Sequence, residues 1–164
     1  MDGEAGGGGS DAQERGRRAG TENLAGIVGF GVAADIAAAE LGTMAKLANL
    51  RDDLERRATA AVPGAILFGR EAPRLSNTTC LALPGLSSEV QMMALDLAGV
   101  AVSAGSACSS GKVQASHVLR AMGADAATAG SAIRISLGWE SSAEDVEAFL
   151  EAWCALAARG RAAA

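Results

Sequence analysis

The sequence predicts an α+β fold. Three observations carry that expectation. The 164 residues suffice for one core and are too few for two of ordinary size. Short β-type runs alternate with stretches of helical period. One unusually long helical pattern precedes them, so strands in one layer with helices packed on it are the arrangement expected.

In chain order, residues 1–12 read as a tail, because Gly6 to Gly9 followed by Ser10 bury nothing. Residues 13–164 are then the folded part, opening with a polar, basic stretch. The long helical pattern begins at Thr21, whose hydroxyl suits an N-cap, with Glu22 favourably placed in the first turn. Leu24, Ile27, Val28 and Gly31 form one stripe, and Met44, Leu47, Leu50, Leu54, Ala58 and Ala61 continue it at helical spacing. Gly42 is where this element bends or breaks, and Val62-Pro63-Gly64 ends it.

Residues 65–68 and 78–83 read as strands, the second ended by Pro84-Gly85. Ser87 or Ser88 caps a helix through Val90, Met93, Leu97 and Ala98, with Met92 and Met93 as packing residues. Residues 100–103 make a third strand, a loop of small residues spans 104–115, and a brief helix opens at Ser116. Residues 132–137 alternate as a strand does, with Arg134 between apolar neighbours. Ser142 starts the final helix, with Glu144 and Asp145 in its first turn and Val146, Phe149, Leu150 and Trp153 on its buried face.

Composition narrows the function classes. Hydrophobic residues make up 49% of the chain, so it folds; aromatics are 3%, so the core is built from Ala, Leu, Val and Ile. A net charge of -5 gives no electrostatic reason to expect nucleic acid or an anionic membrane as partner. No apolar run reaches the roughly 20 residues that span a bilayer. The acidic, Gly-rich start is unlike a secretory signal, and a cytoplasmic protein is expected. Three cysteines, Cys80, Cys108 and Cys154, leave at least one unpaired, and their separations match no zinc-ligand spacing. Cys80, mid-strand, and Cys154, on the last helix, read as core residues, and His117 at a helix start reads as structural.

Cys108 differs from the other two. It lies in Gly105-Ser106-Ala107-Cys108-Ser109-Ser110-Gly111, directly after a strand, where no bulky side chain is present to bury it. A free cysteine is ordinarily a small buried hydrophobe; an accessible one is a nucleophile or redox group governed by its thiolate fraction. The residues alone leave both readings open.

The stretch from Gly105 to Leu119, GSACSSGKVQASHVL, resembles the active-cysteine loop of NifS/IscS-type cysteine desulfurases, of the class V aminotransferase group of pyridoxal-phosphate enzymes. Gln13 to Asn23, QERGRRAGTEN, resembles the segment where that family's large domain hands over to its small domain. Ala132 to Gly138, AIRISLG, resembles the family's substrate-arginine strand. Three motifs in order cover nearly everything from residue 13 onward. The resemblance implies the C-terminal small domain of a fold-type I enzyme: a small, mostly antiparallel sheet, helices on one side, and a long N-terminal linking helix.

It also implies roles. Cys108 is the nucleophile that takes sulfur from L-cysteine as a persulfide, leaving L-alanine, and a transient iron-sulfur ligand in scaffold-linked members. Arg134 clamps the substrate carboxylate, for which a planar guanidinium fork is suited. Thr21 hydrogen-bonds the pyridoxal-phosphate phosphate of the other subunit, which implies a homodimer; a helix N-terminus favours an anion there. An iron-sulfur scaffold or another sulfur-acceptor protein is the implied partner.

The family's cofactor lysine sits in a Ser-x-His-Lys type motif, and the chain contains none. Its two lysines, Lys46 and Lys112, stand in other contexts. The expectation is therefore a desulfurase portion that is inactive in isolation. The alternative is a non-catalytic persulfide carrier or dimerisation module.

Overall fold

The computed structural model describes residues 12–13, 18–19, 22–105 and 116–162, with residues 12–13, 18–19 and 161 given by their backbone alone. Cys108, Lys112 and Thr21 lie outside the described residues, and so do the sulfur-acceptor, iron-sulfur and phosphate roles expected of Cys108 and Thr21. The chain divides into two compact units, Met1–Leu41 and Gly42–Ala164.

In the first unit, β1 (Ala12–Gln13) pairs antiparallel with β2 (Arg18–Ala19). Helix α1 (Leu24–Glu40) follows. Its N-cap is Asn23, not Thr21: the Asn23 side chain accepts the Gly26 N–H at 3.0 Å. Asn satisfies an orphan donor of the first turn as well as Thr does. The expected stripe on α1 is in fact an apolar surface on several sides. Leu24, Ile27, Val28, Phe30, Val32 and Ile36 are all exposed, and none of the helix residues is buried.

The second unit opens with α2 (Met44–Ala61), so the long helical pattern does break around Gly42. Then come β3 (Ile66–Phe68), β4 (Thr78–Ala82), α3 (Ser88–Leu97), β5 (Ser103–Ala104), α4 (His117–Ala121), α5 (Ala126–Gly130), β6 (Ala132–Ser136) and α6 (Ala143–Ala162). The sheet runs β3-β4-β6-β5, and every neighbouring pair is antiparallel. The third strand begins later than its residues suggest, at Ser103. Helix α5, capped by Asp125 through its bond to the Thr128 N–H at 2.8 Å, has no apolar periodicity to announce it.

Alternation along the strands sorts the sheet into two faces. Leu81, Ile133 and Ile135 point to one face, against Leu54 and Ala58 of α2, Leu95 of α3, and Val146, Phe149, Leu150 and Trp153 of α6. Each large aliphatic buried there contributes about 1.5–3 kcal/mol. Phe149 and Trp153 stack with ring centroids 5.9 Å apart, one turn apart on α6. On the other face the cover is small: Leu119 of α4 and Ala129 of α5 pack against Ala82 and Ala132. Among the described residues little else covers that face, and it carries the candidate site.

One packing expectation fails. The buried face of α3 is Ser88, Gln91 and Leu95, whereas Val90, Met93 and Leu97 are exposed. Ser87 is the residue that caps this helix, accepting the Val90 N–H.

Candidate functional site

The register of the sheet sets one row of residues side by side. Phe68 opposes Cys80, Cys80 opposes Arg134, and Arg134 opposes Ser103, so the row crosses all four strands on the thinly covered face. Arg134 is exposed, while Ile133 and Ile135 on either side of it are buried against the helices. Anchoring by both neighbours fixes the strand beneath the guanidinium, and alternation directs that side chain away from the core.

A cavity of about 600 Å³ opens over this row. Phe68, Cys80, Ala132 and Arg134 form its floor; Gly69, Ala72, Arg74 and Leu75 come from the β3–β4 connection; Ser116, His117, Leu119 and Met122 come from the region of α4. Gly105 also lines it. Gly105 and Ser116 are the described residues on either side of the sequence that contains Cys108, and both line the cavity that holds Arg134. Gly105 has φ of 59°, a left-handed conformation that glycine adopts at little cost. Ser116 caps α4, its side chain accepting the Leu119 N–H at 3.4 Å.

The charge balance of the cavity is one-sided. Among the described residues that line it there is no Asp or Glu, but there are Arg74 and Arg134. Arg74 is already engaged. It grips both carboxylate oxygens of Glu55, one of them at 2.7 Å, and Glu55 is 3% exposed. Burial alone would push the Glu55 carboxyl up. The hydrogen bonds from Arg74, the neighbouring Thr79 hydroxyl and the charges of Arg74 and Arg51 outweigh it and hold the carboxyl below its usual value. Among the described lining residues Arg134 is therefore the guanidinium not engaged by a carboxylate, suited to one presented from solvent.

Cys80 is placed differently from its expected core position. It is half-buried and lines the cavity opposite Arg134. Burial pushes its thiol pKa up, and the Arg134 charge offsets that only in part. His117 is exposed on the cavity's edge, at the start of α4. Sequence reading missed Cys80 as a cavity residue, because strand alternation identifies two faces without saying which one is open. No group of acidic, His or Cys side chains able to hold a metal ion occurs among the described residues. No single helix among them is long and apolar enough to cross a membrane.

The aminotransferase class-V family matches residues 6–149. The chain is 40% identical to a cysteine desulfurase of Enterobacter agglomerans over 91% of its own length and 37% of that protein's. It is 46% identical to a cysteine desulfurase of Bradyrhizobium diazoefficiens over 88% of its own length and 36% of that protein's. A solved NifS-like protein from Rickettsia africae superposes with a TM-score of 0.76 at 33% identity, covering 87% of this chain and 37% of that one. The chain thus spans little more than a third of the length of the relatives it matches. Its antiparallel sheet and packed helices are those of an α+β domain of a fold-type I enzyme, and the chain belongs to the aminotransferase class-V family, of which it is a NifS-like part.

Proposed function

We propose that this chain supplies the carboxylate clamp and the sulfur-accepting cysteine of a cysteine desulfurase. The observation that carries the reading is the shared cavity: Arg134 forms its floor, and Gly105 and Ser116, either side of the Cys108 segment, form part of its wall. Three residues of chain from Gly105 to Cys108 span no more than about 11 Å. That bound on chain length is what supports pairing a substrate at Arg134 with Cys108 as acceptor.

The proposed reaction balances within these groups. The Cβ–S bond of L-cysteine breaks and an S–S bond forms from its sulfur to Cys108 Sγ; Cβ keeps the electron pair and gains the proton that Cys108 gives, while the substrate's thiol proton stays on the outer sulfur, so that L-cysteine and a thiol give L-alanine and a persulfide. Arg134 holds the α-carboxylate through two parallel N–H donors. The persulfide is then available to a sulfur-acceptor protein such as an iron-sulfur scaffold. A homodimer, completed through Thr21, and a cytoplasmic location belong to the same reading.

Pyridoxal phosphate, the family's cofactor, needs an amine for its imine. Lys46 is exposed on α2 and is not among the residues that line the Arg134 cavity. The described residues therefore do not fit the cofactor's anchoring requirement. That same observation favours a second reading, a persulfide carrier loaded by another protein. Borohydride reduction of the chain with pyridoxal phosphate tests whether the chain anchors the cofactor by itself. A stoichiometric adduct on a lysine supports complete desulfurase chemistry in this chain, and its absence supports the carrier or a partner-dependent enzyme.

The test common to both readings is the fate of sulfur. With inorganic polysulfide as donor, peptide mass spectrometry is expected to find added sulfur mainly on Cys108. Equal loading of Cys80 or Cys154 would overturn the assignment.

A further inference from the structure

Cys80 is not used by the proposed sulfur transfer, yet it stands in the same cavity and directly opposite Arg134 in the β4–β6 register. Opposed residues on one face of an antiparallel pair have Cβ atoms roughly 4.5–5.5 Å apart. The Arg134 charge acts on the Cys80 thiol, so an amino-acid carboxylate docked on the guanidinium can turn a sulfur three bonds from its carbon back toward Cys80. No acidic side chain among the described lining residues competes for that docking. Phe68, next to Cys80 in the row, closes one side with an apolar wall.

From this juxtaposition we propose that Cys80 is a modification site for carboxylate-bearing amino-acid disulfides, with Arg134 as the docking group. The inference rests on Arg134 being a carboxylate clamp. In the reaction, Cys80 Sγ attacks one sulfur of the disulfide. A new Sγ–S bond forms, the old S–S bond breaks, and the departing half takes up the proton that Cys80 gives and leaves as a free thiol. Cys80 is oxidised and the disulfide reduced. The half that stays attached keeps its carboxylate at Arg134, so modification closes the clamp to other carboxylates. Burial of the Cys80 thiol, which raises its pKa, disfavours undirected reagents and makes selectivity depend on docking.

The experiment compares cystine with cystamine, the same disulfide without its carboxylates, on the intact chain. Peptide mass spectrometry measures modification at Cys80 relative to Cys154, whose surroundings mix Arg57 with Glu147 and Glu151. The expected cystine preference at Cys80 is roughly tenfold above that at Cys154, the factor one charge-assisted contact supplies. Arg134→Gln is expected to bring the Cys80 preference down to the Cys154 level. Equal preferences at the two cysteines of the unaltered chain overturn the proposal. L-alanine binding, followed by the guanidinium NMR signal of Arg134, separates the causes. If L-alanine binds while Cys80 shows no preference, this inference alone falls; if neither is seen, the clamp reading falls with it.

Discussion

Trp153 donates its indole N–H to the side-chain oxygen of Gln91 at 2.9 Å, and both residues are fully buried. The Gln91 amide nitrogen donates in turn to the Leu86 carbonyl at 3.0 Å and the Ser131 carbonyl at 2.6 Å. One polar side chain therefore ties α3, α6 and the approach to β6, the strand that carries Arg134. Buried polar groups stabilise only when their partners are present, and removing one leaves the others unpaired at about 1–3 kcal/mol.

Gln91→Ala is accordingly expected to destabilise the chain by roughly 2–4 kcal/mol, from the unpaired Trp153 donor and the carbonyls it leaves behind together with lost packing. Denaturant unfolding checks this: the midpoint falls while the slope is unchanged. A midpoint equal to that of the unaltered chain would remove the network from the account of what holds β6.

The Glu55–Arg74 pair predicts an acid dependence. The folded-state carboxyl of Glu55 lies below its usual value, so its contribution is fully present above the unfolded-state value. It is lost as the pH falls through the folded-state value. The chain should lose stability in acid, and Glu55→Gln should be less stable at neutral pH with a shallower acid decline. Unfolding midpoints taken at neutral and acid pH measure both effects. Because Arg74 also lines the Arg134 cavity, the same variant should loosen that wall.

Arg134→Gln separates function from fold. The side chain is exposed between two buried neighbours, so the substitution should change stability by no more than about 0.5 kcal/mol. Binding of L-alanine or L-cysteine should fall by at least roughly tenfold, as expected for loss of a charged hydrogen-bonding partner. Titration of each variant by calorimetry or NMR checks this; undiminished binding would place the clamp elsewhere.

Much of this was legible in the residues. The alternating run around Arg134, the helix starts at Ser87 or Ser88 and at Ser116, and the apolar face of α6 each rest on a local rule, and each appears in the structure. The misreadings share a cause, in that tertiary partners override pattern. On α3 the polar Gln91 is inside because three groups satisfy it, leaving Met93 and Leu97 outside. Cys80 packs against the small Leu119 cluster but is only half-buried, because among the described residues its face of the sheet is covered by α4 and α5 alone. Asn23 takes the capping position expected of Thr21, two residues earlier in the chain.

The most direct test is a chimera in which the matched part of the Enterobacter agglomerans cysteine desulfurase is replaced by this chain. Once loaded with pyridoxal phosphate and given L-cysteine, it is expected to release L-alanine and to carry the persulfide on Cys108. Cys108→Ala should end both while the cofactor stays bound. Release of L-alanine that continues in the Cys108→Ala chimera, with sulfur found on another residue, would contradict the account.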